Sequence, residues 1–180
     1  MTFEQQVRAV IHNDPVRWRL LAVVRELALP DAWIGAGFVR NAVWDHLHGR
    51  ASTAPDGDVD VLWFDRSGID PAEDLRLEAR LLGHAPQVLW SVKNQARMHL
   101  RNGQEPYAST EDAMRYWPET ATAVAVRRTA DDRCEVLAPL GLDDLFGLRL
   151  RSTPGKAEVM AVRARDKGWL QRWSRLRSLG

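Results

Sequence analysis

The sequence predicts an α/β (α+β) fold, a mixed β-sheet flanked by α-helices in a single domain. Helical and strand-like hydrophobic patterns alternate along most of the chain. A strand–glycine–helix unit fills 33–47, and an apolar strand carrying two aspartates follows at 58–65. At 180 residues, one core is expected.

Each element has a local cause. Residues 3–11 form a helix. Asp14 then caps a second one, with Pro15 at its first position and an apolar side of Leu20, Leu21, Val23, Val24, Leu27 and Leu29. Pro30 helps to end it. The first strand is 33–35, the next helix 38–47. Pro71 opens a helix through Leu82, and 88–93 forms a third strand. Ser109 caps a short helix to Trp117. Residues 120–128 and 133–137 read as antiparallel strands joined by the polar turn Thr129-Ala130-Asp131-Asp132. Residues 142–148 are helical, and 157–176 form a final amphipathic helix interrupted near Gly168. Three stretches are expected: N-terminal helices over 1–30, a core over 31–148, and a basic helical segment over 149–180 packed on that core.

The aspartates carry the chemistry. Side chains alternate along a strand, so Asp58 and Asp60 share one face while Val59 and Val61 share the other. Two carboxylates about 7 Å apart repel each other unless a cation lies between them. Mg²⁺ uses one or two protein carboxylates and completes its shell with water and phosphate oxygens. Asp56-Gly57-Asp58 is also turn chemistry, and an Asp-x-Asp pair alone favours that reading. The glycine element reverses the preference. Gly35 and Gly37 permit a sharp strand-to-helix turn, and a helix N-terminus supplies free N–H donors to phosphate. Arg40 in the first helical turn gains nothing from the helix dipole, which makes sense if it faces an anion.

Gly35-Ala36-Gly37-Phe38-Val39-Arg40-Asn41 followed by Asp58-Val59-Asp60-Val61 resembles the signature of the DNA polymerase beta-type nucleotidyltransferase superfamily. The resemblance is closest to the glycine–glycine–x–valine–arginine–aspartate version of tRNA CCA-adding enzymes. Segments 36–45, 90–99, 117–123 and 137–145 look like a small bacterial nucleotidyltransferase-like branch. The resemblance implies a nucleotidyltransferase-like mixed sheet. It also implies metal-dependent transfer of a nucleoside monophosphate from an NTP to an acceptor hydroxyl, with release of pyrophosphate. Asp58 and Asp60 would hold Mg²⁺ (or Mn²⁺), and Gly35, Gly37, Arg40 and Asn41 would bind the nucleotide. The acceptor is a small molecule, RNA or a protein side chain, with no residue choosing among them. Lys93, Asn94 and Arg97 form a second expected nucleotide-binding group, because open α/β sites collect ligand contacts at strand ends, and they read equally as surface residues ending a strand.

Two departures from the superfamily stand out. The loop between Gly37 and Asp58 is long and includes Gly49-Arg50-Ala51-Ser52-Thr53, which reads equally as a nucleotide cover or an idle surface loop. Active members also place a third carboxylate on a neighbouring strand, and 87–94 has no acid. Glu119 is the best substitute and a candidate catalytic residue; Asp112 is another. The alternative function is therefore a catalytically inactive nucleotide- or RNA-binding protein on the same fold. A glycosyltransferase with an Asp-x-Asp metal site is disfavoured by the short chain.

Hydrophobic content of 45% and charged content of 27% are ordinary for a globular protein. One cysteine, Cys134, excludes an internal disulfide. The first residues lack signal-peptide features and no apolar run is long enough to span a bilayer, so a cytoplasmic location and no membrane partner are expected. From Arg149 onward nine basic residues stand against Glu158 and Asp166, a net +7 against −6 for the rest. With Trp169 and Trp173 interleaved, that segment could grip RNA. The favoured reading has the tryptophans packing on the core and the arginines in water.

Overall fold

The computed structural model describes residues 1–51 and 53–179. Ser52, in the long loop between Gly37 and Asp58, lies outside the described residues. Helix α1 (Phe3–His12) opens with a capping box. The Thr2 side chain accepts from the Gln5 N–H, and the Gln5 side chain accepts from the Thr2 N–H. Helix α2 (Pro15–Arg25) begins as Pro15 requires, with the Asp14 carboxylate accepting from Arg17 N–H at 2.9 Å. Then come β1 (Trp33–Gly35), α3 (Gly37–Leu47), β2 (Asp58–Trp63), α4 (Pro71–His84) and β3 (Leu89–Asn94). Short helices α5 (Met98–Asn102) and α6 (Thr110–Met114) lead to the hairpin β4 (Ala125–Arg128) and β5 (Cys134–Leu137). The chain ends with α7 (Asp143–Phe146), β6 (Arg149–Arg151), α8 (Ala157–Asp166), α9 (Trp169–Arg172) and β7 (Arg177–Leu179).

Among these residues a five-stranded sheet runs in the order β3-β2-β1-β4-β5. It is mixed: β2 and β3 are parallel, joined through α4, and the other pairs are antiparallel. Strand alternation divides its faces. Val59, Val61 and Trp63 enter the main core with Ile34 and Val126, under Val7, Ile11, Leu21, Val39 and Trp44 of the helices. Leu62 points the other way, into a smaller cluster with Trp33, Met114 and Ala125. Asp58 and Asp60 lie on Leu62's face, at the end of β2 that this small cluster leaves open.

Helix α3 is buried from Phe38 through Asp45. Its Trp44 meets Trp173 at 5.0 Å and Trp169 at 6.1 Å, both edge-on. The C-terminal tryptophans therefore do pack on the core. Three sequence expectations need correction. Residues 120–122 form a single 3-10 turn between the isolated Glu119–Ser152 bridge and β4, so the strand is shorter than 120–128. Helices α6 and α7 are shorter than predicted, ending at Met114 and Phe146. The last helix is interrupted at Gly168 (φ 60°) as expected, giving α8 and α9, but it ends at Arg172 rather than Leu176, and the chain then forms β7, which pairs in parallel with β6.

The sheet's β3 edge is closed by α4. Glu78 accepts from Val92 N–H at 2.8 Å, and Asp74 accepts from Asn94 N–H at 3.0 Å. Buried Asn94 fills every hydrogen-bonding position of its amide. It donates to the carbonyls of Asp65 (2.7 Å) and Gly68 (2.8 Å) and accepts from the N–H groups of Asp65 (3.1 Å) and Ala96 (3.0 Å). An Asn94→Leu substitution orphans those backbone groups, so a loss of about 2–4 kcal/mol is expected by urea unfolding. A stability within about 0.5 kcal/mol of wild type, less than the usual cost of one lost bond, would refute that role.

Candidate active site

The turn from β1 to α3 builds one wall of a cavity of about 230 Å³. Ala36 sits at its apex with φ 54° and ψ −126°, a conformation that favours glycine. Here stands alanine where the resembling signature has glycine. Ala36 has no side-chain oxygen to cap α3, so the first N–H groups of that helix, at Gly37 and Phe38, reach the cavity without a side-chain cap. The second wall is β2, with Asp58 and Asp60. The long loop contributes Pro55, Asp56 and Gly57, and buried Arg17 ties it down by donating to Thr53 O at 2.7 Å and Phe38 O at 2.9 Å. The loop is thus part of the cavity wall. The C-terminal segment supplies the rest: Arg163, Lys167, Trp169, Arg172 and Trp173.

The two aspartates have different environments. Asp60 is raised from 3.8 to about 6, first by burial and then by the charge of Asp58. Lys167, a hydrogen bond from Ser91 and Arg163 oppose the shift. Ser91 is Asp60's register partner on β3, so the neighbouring strand offers a neutral hydroxyl there. Asp58 is more open, with Lys167 Nζ 4.0 Å from its Oδ1. Two carboxylates on one face, one of them pressed toward protonation, form a hard-oxygen donor set that suits Mg²⁺ completed by phosphate oxygens. No group of three or more potential metal-ligating side chains gathers among the described residues.

Arg40 lines the cavity but is buried. Its guanidinium lies over Trp169 at 4.2 Å and Trp44 at 5.1 Å, and it donates to Thr122 Oγ1 at 2.9 Å and Asn41 Oδ1 at 2.9 Å. Burial pushes its pKa down from the usual arginine range to about 10, opposed by the charge of Glu119. Asn41 also reaches Asp56 at 3.4 Å. Both residues stand at the cavity, where the sequence reading puts them.

Other expected residues are elsewhere. Gly35 does not line the cavity. It lies inside the sheet opposite Asp60, where an added Cβ would meet Leu62, Ala125 and Trp117 at 3.1–3.3 Å. Its small size serves packing rather than phosphate approach. Glu119 is fully buried behind the cavity, accepting from Arg163 Nε at 2.7 Å, and does not join the aspartates. Asp112 is spent on the Ala108 N–H at 2.9 Å. Lys93 shares the aspartates' face, but its ammonium turns to the sheet edge, 3.0 Å from Glu78. Asn94 points to the opposite face and organises a loop, and Arg97 is paired with buried Asp74. The strand-end group does not gather at this cavity, because α4 supplies carboxylates to that end of the sheet.

The sequence reading missed Arg163, Lys167, Arg172, Asp56 and Ser91. It left the three cations in water, whereas Arg172 pairs with Asp56 and with Asp45 (3.4 Å) at the cavity mouth. The available signal was Gly168 followed by Trp169 and Trp173. A break with two large apolar side chains after it folds the segment back onto the core.

A family model described as Nucleotidyltransferase matches residues 22–178. No curated protein matches the chain by sequence. An NMR structure described as revealing a CCA-adding enzyme head domain is 32% identical, with a TM-score of 0.84, and the match covers 98% of this chain and 95% of that one. The Thermotoga maritima CCA-adding enzyme complexed with tRNA is 14% identical at a TM-score of 0.60, covering 97% of this chain and 42% of its own. A CCA-adding enzyme in complex with CTP is 15% identical at 0.54, covering 92% and 47%. This chain thus spans under half the length of those two enzymes, which share its fold.

Proposed function

The chain belongs to the nucleotidyltransferase family, and from that premise we propose that it moves a nucleoside monophosphate from an NTP to an acceptor hydroxyl, using a divalent metal held by Asp58 and Asp60. The observation that carries this reading is the single cavity in which both aspartates, the uncapped start of α3 and the C-terminal cations converge. In the reaction the acceptor oxygen bonds to the α-phosphorus. The bond from that phosphorus to the bridging oxygen breaks, its electron pair leaves with pyrophosphate, and the hydroxyl proton passes to solvent. Bound Mg²⁺ would supply Lewis-acid stabilisation of the phosphate charge.

The chain's own residues have separable tasks. The N–H groups of Gly37 and Phe38 donate to the anion at the positive end of α3. Arg40, fixed against two indole rings, adds a charge that need not reorganise when the phosphate arrives. Asn41 and Arg172 hold Asp56, and so the loop, beside the aspartates. The tRNA-bound relative of the same fold, and the basic residues around the mouth, support RNA as the acceptor class. A small molecule or protein side chain is a less supported acceptor.

A second reading has one observation in its favour. Ser91 faces Asp60 with a neutral hydroxyl, and β3 carries no acid, which suits a protein that binds nucleotide without turning it over. Calorimetry with NTPs, with and without Mg²⁺, tests the site. Wild type is expected to bind only with Mg²⁺, and a folded Asp58→Asn/Asp60→Asn variant at least roughly 100-fold more weakly, the order expected for losing charge-assisted ligation. Equal binding by the variant would refute the metal–nucleotide site. Pyrophosphate release then separates transfer from binding alone.

A further inference from the structure

We propose that Lys167 is the mobile side chain that contacts the polyphosphate in this cavity, beside the fixed charge of Arg40, and that in the ligand-free protein its ammonium stands beside Asp58 in place of the divalent cation. This inference rests on the nucleotide site proposed above and assigns within it a residue from the C-terminal segment.

Of the four cations that line the cavity among the described residues, three are held by protein partners. Arg40 is buried and held by its hydrogen bonds to Thr122 and Asn41. Arg163 is held by Glu119 at 2.7 Å, an anchor that is itself fully buried. Arg172 pairs with Asp45 and Asp56 and lies over Trp173 at 4.3 Å. Those three are fixed in place. Lys167 differs: its side chain is 48% exposed, and its ion pair among the described residues is a 4.0 Å approach to an aspartate that is itself 59% exposed. Such a pair is weak, and the four-carbon stem leaves the ammonium free to turn.

Position is nevertheless well defined. Lys167 ends α8, Gly168 reverses the chain with φ 60°, and buried Trp169 anchors the start of α9 against Trp44 and Arg40. The ammonium is therefore delivered to the mouth from a rigid corner. A divalent cation on Asp58 and Asp60 would repel it at a few ångströms, and the polyphosphate arriving with that cation offers it a better partner. One exchange thus puts the metal on the carboxylates and the ammonium on the phosphates.

Two binding measurements with opposite expected signs test this. Mn²⁺ binding without nucleotide, followed by electron paramagnetic resonance, should tighten about 2–5-fold in Lys167→Met, the range for removing an exposed competing ion pair. Binding of inorganic tripolyphosphate with Mg²⁺, followed by calorimetry, should weaken roughly 10–100-fold in Lys167→Met, as for one lost charge-assisted hydrogen bond. Lys167→Arg should retain most of the tripolyphosphate affinity. Tightened Mn²⁺ together with weakened tripolyphosphate supports the proposal; any other pairing overturns it. If wild type binds Mn²⁺ no better than Asp58→Asn/Asp60→Asn, the underlying site fails and this inference with it. If that Mn²⁺ control succeeds but Lys167→Met binds tripolyphosphate like wild type, only the role of Lys167 fails.

Discussion

Asp60→Asn is expected to abolish NTP-dependent transfer while making the ligand-free protein more stable at pH 8. Asp60 is raised to about 6 in the fold by burial and by Asp58, against 3.8 for the free side chain. A carboxyl raised in the folded state contributes stability that is fully present below its unfolded value and is lost as pH climbs through its folded one. Wild type should therefore lose stability between about pH 4 and pH 6, where folding holds on to a proton that the unfolded chain releases. Above that window the cost is on the order of 2–3 kcal/mol. Asparagine carries no charge and escapes it. For a domain of this size the gain is about 4–10 °C in Tm at pH 8 and close to nothing at pH 4. Thermal unfolding of both proteins across that range measures it. A wild-type Tm that rises from pH 5 to pH 8 relative to the variant would reverse the sign and refute the assignment. Mg²⁺ should raise the Tm of wild type at pH 8 and leave the variant's nearly unchanged.

Trp173→Ala should have the largest effect on stability. The ring is buried, meets Trp44 edge-on at 5.0 Å, and its Nε1–H donates to Asp45 at 2.8 Å. Removing it costs about 3–5 kcal/mol, since a rigid neighbour such as Trp44 collapses poorly into the space. It also takes one of buried Asp45's donors, leaving that carboxylate to Arg172 and Arg50. Because α9 is a single turn, its position depends on this ring. Nucleotide affinity should therefore fall at about 10 °C, where the variant remains folded. Trp173→Phe keeps most of the apolar area and loses only the indole hydrogen bond, so a smaller cost of about 1–2 kcal/mol is expected. A Trp173→Ala variant within about 1 kcal/mol of wild type in urea, well under the usual cost of an emptied tryptophan site, would show that the segment is held elsewhere.

The alternation Asp58-Val59-Asp60-Val61 was readable because a strand has one local rule, and burial followed it: valines into the core, aspartates to the other face. The cap of α2 was equally local, set by Asp14 with Pro15. Lys93, Asn94 and Arg97 show the limit of such rules. Their strand end resembles a ligand site in sequence, yet Glu78 and Asp74 on α4 stand there, and nothing within 93–97 announces partners that lie a whole helix earlier in the chain.

By itself the sequence determined the fold class, the strand–turn–helix unit and the aspartate pair, because periodicity, caps and turn chemistry act over a few residues. Tertiary structure alone decided which cations face those aspartates. Arg163, Lys167 and Arg172 reach the cavity because Gly168 turns the chain and Trp169 and Trp173 seat it on Trp44, far earlier in the sequence. Burial of those rings is a long-range packing event, and a solvated basic helix and a cavity wall have the same local pattern until it occurs.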